Sequence, residues 1–328
     1  MKVPNDKVDY CGIDVSKSSL DVYYKGHNYV FSNCTKGFKQ LFECINDHAW
    51  CVMEATGPYY LNLAVFLHSR SIRVSVVNPL VIKRFSQMRM IRAKTDKADA
   101  QLIASYAEIE TLILWNPPSR ILHELQQIQT VIESLMKQRR MMKNQLSAIS
   151  VQPFQSKEVL NTLNSLVDRV NVKLDKLEQQ VLTILDTYFN DEVRLITSIP
   201  GLGLKTAAAI LIATNGFTRF ESSKQLVSYA GLCPRIYQSG SSIRGKGHIT
   251  KMGGERLRST LYLAAWSAIK YNASCKAIYE RLLHKGKAKK LALIAVANKL
   301  LRQAFAIVKN QESYNETKYY SEFKVSHA

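Results

Sequence analysis

Tyr10-Cys-Gly-Ile-Asp-Val-Ser-Lys17 is the stretch on which the fold turns. Residues 8–15 form a short apolar run that carries an acid, Asp14, near its end, and read as a buried strand. Two more strands follow at 20–24 and 28–32, with Lys25–Gly26 as the turn between them. Phe38, Leu41, Phe42 and Ile45 recur at helical spacing and predict a helix over 35–46. Residues 50–53 are again strand-like, and Glu54 closes them as Asp14 closes the first. Gly57–Pro58 opens a helix running to His68, and residues 74–77 form a further strand broken by Asn78–Pro79. A helix is expected over 96–107. Strands alternating with helices in this way predict an α/β domain with a three-layer sheet.

Beyond Asn116-Pro-Pro118 the pattern changes, and a domain boundary is placed there. Residues 119–150 carry Ile121, Leu125, Ile128, Ile132, Leu135 and Met142 on one stripe. Residues 157–188 carry Leu163, Leu166, Val170, Leu174, Leu177, Val181 and Leu185. Two long helices so patterned suggest an antiparallel hairpin or an intermolecular coiled coil, or plain packing within one chain. The rest is mainly α, with strong amphipathic helices over 256–271 and 289–309 and a polar, loose tail from 311. The expected division is residues 1–118, 119–188 and 189–328.

The 328 residues hold 45 Lys and Arg against 26 Asp and Glu, a net charge of +19. The excess is concentrated: residues 187–328 carry 22 basic and 8 acidic side chains. Such a segment calls for a polyanionic partner, nucleic acid being the usual one, although a basic soluble surface gives the same count. No apolar run is long enough to span a membrane, and residues 1–10 do not resemble a signal peptide. Six cysteines are scattered without a CxxC pair, which argues for reduced thiols in a cytosolic protein and against a zinc site.

Acids at the ends of neighbouring strands repel one another unless a cation neutralises them. Asp14 and Glu54 form such a pair, and an oxygen-only donor set suits Mg²⁺ or Mn²⁺. Asp96 and Asp99, in Lys94-Thr-Asp-Lys-Ala-Asp99, share one face of their helix and complete the set if that helix packs against the Asp14 edge. Asp96 could also simply cap its helix. Asp21 has no evident partner and is read as surface. Paired metal ions on four such acids would serve phosphoryl transfer.

Ser198-Ile-Pro-Gly-Leu-Gly-Leu-Lys205 reads as helix, glycine turn, helix, and resembles a helix-hairpin-helix DNA-binding element with Lys205 near the phosphate. A plain helix connection is the alternative. Further on, Ser239, Ser241 and Ser242 lie in a glycine-rich loop beside Arg235, Arg244, Lys246 and His248. Cations there would hold a phosphate, and a serine would be its attacker or merely part of a loop gripping the backbone.

Taken in order, Gly12-Ile-Asp-Val-Ser-Lys17, Glu54-Ala-Thr-Gly57, Val77-Asn-Pro79, Lys94-Thr-Asp-Lys-Ala-Asp99, Ile199-Pro-Gly-Leu-Gly203, Tyr229-Ala-Gly-Leu232 and Ser239-Gly-Ser-Ser-Ile-Arg-Gly245 resemble the IS110/IS1111 family of insertion-sequence transposases and the related Piv-type DNA invertases. The resemblance implies a RuvC-like (RNase H-type) N-terminal domain with its Asp-Glu-Asp-Asp set on Asp14, Glu54, Asp96 and Asp99. It implies Mg²⁺ at that set and a C-terminal transposase domain whose serine nucleophile is Ser239, joined covalently to DNA during the reaction. It further implies a bridge RNA as guide in the transposase branch, and a homo-oligomer, dimer or tetramer, in which the acids of one subunit meet the serine of another. The rival readings are a Piv-type invertase without guide RNA, a junction nuclease that uses the acids with water, and a non-catalytic nucleic-acid-binding protein.

Overall fold

The structure is a computed structural model and describes residues 8–90, 95–235, 238–239, 243–244, 248–250 and 253–317. The chain divides into two compact units, Met1–Pro117 and Pro118–Ala328.

The first unit is built on a five-stranded mixed sheet of order β3-β2-β1-β4-β5. Its strands are β1 (Asp9–Val15), β2 (Ser19–Tyr24), β3 (His27–Ser32), β4 (Ala49–Glu54) and β5 (Arg73–Val77). β1, β2 and β3 are antiparallel neighbours, whereas β1, β4 and β5 run parallel. Parallel strands need a crossover, and α1 (Thr35–Cys44) and α2 (Leu61–His68) supply it. One face of the sheet, with Cys11, Ile13, Leu20, Val22, Cys51 and Met53, packs on Phe38, Leu41, Leu63 and Leu67 of those helices. The other face, with Val52 and the flanking rings of Tyr10 and Trp50, packs on α3 (Pro79–Met88) and α4 (Asp96–Ile109) through Ile82, Phe85, Leu102 and Ile103. Two helical layers and a sheet match the α/β expectation, and the strand order is compatible with a RuvC-like arrangement.

One local reading is extended, and the thiols divide by burial. Asn78–Pro79 does more than end β5: Asn78 Oδ1 accepts from the Leu80 amide at 2.9 Å and Pro79 takes the first helical position, so the pair starts α3. Of the six free thiols, Cys11, Cys51 and Cys275 are buried core residues, but Cys34 and Cys44 are exposed.

The second unit opens with α5 (Arg120–Ser150) and α6 (Lys157–Tyr188). The two helices lie against each other, with Arg139 donating to Asn171 Oδ1 at 3.0 Å, and their short connection makes them antiparallel. Leu122, Leu125 and Leu185 at the base of this pair enter the core of the bundle that follows. That bundle comprises α7 (Asn190–Thr197), α8 (Leu204–Thr214), α9 (Ser223–Tyr229), α10 (Glu255–Tyr271), α11 (Ala273–His284) and α12 (Lys289–Asn310). By length and composition α12 could cross a membrane, contrary to the sequence reading; its apolar residues Leu293, Val296, Leu300 and Leu301 are instead buried in this core.

Residues 311–317 are not loose. The Tyr314 amide donates to Ser198 Oγ at 2.9 Å, its hydroxyl to Asn272 Oδ1 at 3.1 Å, and the Ala273 amide to Glu316 Oε1 at 3.1 Å.

The glycines of the α7–α8 turn do different jobs. Gly201 sits at φ +103, and a Cβ there would come within 2.8 Å of the Ala268 backbone in α10. A Cβ on Gly203, the N-cap of α8, would meet nothing within 4 Å. Gly201→Ala is therefore expected to destabilise the second unit by about 2 kcal/mol or more, and Gly203→Ala by under about 1 kcal/mol. Urea unfolding of the two variants checks the order.

Candidate functional site

Strand parity decides where the acids of the first unit go. On β1 the odd positions Cys11, Ile13 and Val15 face α1 and α2, so Gly12 and Asp14 face α4. On β2, Leu20 and Val22 take the first face and Asp21 the second. On β4, Cys51 and Met53 take the first and Glu54 the second. Register then lines the acids up. Asp14 lies directly opposite Asp21, and Ile13 pairs with Met53, so Asp14 and Glu54 come next across the parallel pair. The result is a row of three carboxylates, Asp21, Asp14 and Glu54, across three adjacent strands.

α4 lies over this row. A Cβ on Gly12 would collide with the backbone of Ala100 and Ala104, so only glycine lets the helix come so close to β1. The close approach brings the first turn of α4, with Asp96 and Asp99, to the acidic end of the sheet. Thr95 is the N-cap, its Oγ1 accepting from the Ala98 amide at 3.2 Å, so Asp96 is not the capping residue. Both acids sit in the first helical turn, where the helix dipole favours negative charge.

The electrostatics follow. Burial first, and then the charges of Asp99, Glu54, Asp96 and Asp21, together push the Asp14 carboxyl up to about 6. Asp21 is raised too, by burial first and then by Asp96, with Lys97 opposing. The sequence reading of Asp21 as surface is thus corrected: it belongs to the acidic group. The antiparallel register of β1 and β2 was the missing signal, since positions 14 and 21 face each other only once the pairing of Cys11 with Tyr24 is known. Glu54 Oε1 accepts a 2.7 Å hydrogen bond from Thr56, which orients the carboxylate.

Among the described residues no three of these groups close into a finished metal cage. The donor set nevertheless fits a divalent cation. It is all oxygen, and the proton that burial and the neighbouring acids favour on Asp14 is what a bound cation would displace.

In the second unit, Lys205 stands at the start of α8, exposed, with Nζ 2.7 Å from Glu178 Oε1 of α6. The two residues are 27 positions apart, and no local pattern signals the pairing. Pro234–Arg235 pairs antiparallel with His248–Ile249, and Gln238–Ser239 with Ile243–Arg244. These are β6 with β9 and β7 with β8. Arg235 is opposite His248, Gln238 opposite Arg244, and Ser239 opposite Ile243, so the serine stands on a paired ribbon where a free loop was expected. Ser241, Ser242 and Lys246 lie outside the described residues.

Comparison with known proteins bears on both units. Residues 11–154 match a transposase model of the IS110 DEDD type, and residues 193–280 match the model described as Transposase IS116/IS110/IS902 family. The pilin gene-inverting protein of Moraxella bovis is 33% identical over 94% of this chain and 98% of its own length. An uncharacterized 43.6 kDa protein of insertion element IS110 from Streptomyces coelicolor is 30% identical over 48% of this chain and 38% of its own. The transposase of IS1111A from Coxiella burnetii is 27% identical over 48% and 43%. The chain belongs to the IS110 family of transposases and is related to the pilin gene-inverting proteins.

Proposed function

We propose that this protein cuts and rejoins DNA, with Asp14, Glu54, Asp96 and Asp99 holding Mg²⁺ or Mn²⁺ and Ser239 as the nucleophile. The observation that carries the reading is the acidic row under α4, where Asp14 stands between Asp21 and Glu54 and where burial first, then the neighbouring acids, raise its carboxyl to about 6. A structural surface has no use for such crowding. When bound, the cation would stabilise the charge of a scissile phosphodiester. The match of residues 11–154 to a DEDD-type transposase model supports divalent metal use.

The Ser239 hydroxyl attacks the phosphorus, forming one P–O ester bond as the DNA P–O bond breaks. The departing DNA oxygen takes up a proton, and reversal with another strand's hydroxyl releases the serine. Because one ester replaces another, rejoining needs no outside energy source. Arg235, Arg244, Lys246 and His248 neutralise phosphate charge near the serine, and Lys205 does so at the α8 start once Glu178 gives it up. A homo-oligomer, dimer or tetramer, and a bridge RNA that selects the DNA sites complete the reading.

A second reading has its own support. Relatives that match along nearly the whole chain are gene-inverting proteins, whereas the insertion-element relatives from Streptomyces coelicolor and Coxiella burnetii match over about half of it. That favours a site-specific invertase working without a guide RNA. Sequencing nucleic acid that co-purifies with the protein separates the two: a defined structured RNA supports the guided reading, and none supports the invertase.

Ser239→Ala tests the nucleophile. The variant is expected to lose the covalent protein–DNA adduct on a denaturing gel and to cut at least about a thousandfold more slowly. Cleavage that persists without an adduct would assign the attack to water, as in a junction nuclease.

A further inference from the structure

Among the described residues not assigned so far, a dense run of positive charge lies where α11 turns into α12. Every residue of His284-Lys-Gly-Lys-Ala-Lys-Lys290 is exposed. It holds four lysines, Lys285, Lys287, Lys289 and Lys290, and no acid. Over residues 273–310 the single acid is Glu280, against nine Lys and Arg. Glu280 already faces Lys276 at 4.0 Å, and among the described residues none of the four lysines takes part in an ion pair.

The backbone displays these charges on a fixed frame. Gly286, at φ +69, ends α11; its amide bonds Leu283 O at 2.8 Å and the Lys287 amide bonds Leu282 O at 3.0 Å. Ile278 on one side and Ala292 and Leu293 on the other are buried in the core, so the turn is anchored at both ends.

Its charge placement is costly for the fold alone. Lys289 and Lys290 occupy the first turn of α12, where unsatisfied N–H groups already make the potential positive, and no acid in that turn offsets them. A helix start serving only stability would carry Asp or Glu here. Crowded, uncompensated cations are relieved by a polyanion that reaches several of them together.

We propose that the α11–α12 turn is a clamp for a phosphodiester backbone, a second nucleic-acid contact beyond residue 280, where the matched family model ends. It rests on the recombinase reading and adds to it a grip that tightens binding without reading sequence. Duplex DNA and single-stranded RNA offer the same phosphates, and the test distinguishes them.

The full-length protein and a variant combining Lys285→Ala, Lys287→Ala, Lys289→Ala and Lys290→Ala are titrated by fluorescence anisotropy. The probes are a labelled DNA duplex and a labelled single-stranded RNA, at salt from about 50 to 200 mM. The variant is expected to bind at least one probe tenfold or more weakly. Its slope of log affinity against log salt should fall by up to about 3.6 on the duplex, or about 2.8 on the single strand. The probe with the larger loss identifies the occupant. An all-arginine version of the four positions should restore affinity, and circular dichroism should show the helices intact. Unchanged affinity and slope on both probes overturns the clamp and leaves the recombinase reading standing. A wild-type protein that binds neither probe overturns both.

Discussion

Asp14→Asn is expected to abolish strand cleavage and, at the same time, to make the metal-free protein more stable. The two effects have one origin. Asp14 lies between Asp21 and Glu54 in the row and under the acids of α4, so its charge is opposed from several sides. Its folded-state pKa of about 6 stands above the ordinary 3.8. The fold therefore favours the protonated form, and ionisation subtracts stability as pH rises from about 4 through 6. The penalty is complete at pH 7 and is relieved on acidification through the same window. A shift of about two units corresponds to at most about 3 kcal/mol, which solvent screening of this partly buried carboxyl cuts to about 1 kcal/mol. Asparagine keeps the shape and removes the charge, so the first unit should melt about 4 °C higher in chelator at pH 7, with the gain shrinking toward pH 4. Calorimetry reads this directly. In saturating Mg²⁺ or Mn²⁺ the same variant should cut DNA about a thousandfold more slowly or worse. A variant that cuts normally would remove the acidic row from the chemistry.

Gly12→Val should cost the most stability of any single change at the site. The added atoms would land on the α4 backbone at Ala100 and Ala104, and a packed helix backbone cannot step aside as a flexible side chain can. Lifting α4 off β1 would open the contact of Leu102 and Ile103 with Val52 and draw Asp96 and Asp99 away from Asp14. The expected cost is about 3 kcal/mol, or about 10 °C in the melting of the first unit, with faster amide exchange along α4. Cleavage should fall even at temperatures where the variant remains folded. Normal melting would mean that α4 tolerates a displaced position.

Much of this was legible in the sequence because its signals are local. Alternation in β1 and β2, the Lys25–Gly26 turn and the acids closing β1 and β4 need only a few neighbouring residues to be read. What escaped depends on partners far along the chain. Asp21 joins the acids through cross-strand register. Gly12 matters because of a helix some ninety residues later in the sequence, and nothing beside it says so. Lys205 is held by Glu178, a pairing made only when α6 and α8 come together. Tyr314 looked like part of a polar tail, and its hydrogen bonds to Ser198 and Asn272 span 116 and 42 positions. Asn78–Pro79 was read in part: it does stop β5, but the same dipeptide is also a good helix start, and it opens α3.

The three acids contributed by strands share a face only through strand parity, which constrains where this chain can gain or lose residues. One residue inserted within β1 or β4 would turn Asp14 or Glu54 toward the Phe38, Leu41 and Leu63 side of the sheet. The tip at Lys25–Gly26 is exposed, and a Cβ on Gly26 would meet nothing within 4 Å. Length variation, an epitope tag or a split point is accommodated there, after Asp21 has been set against Asp14, and not inside the strands that carry the charges.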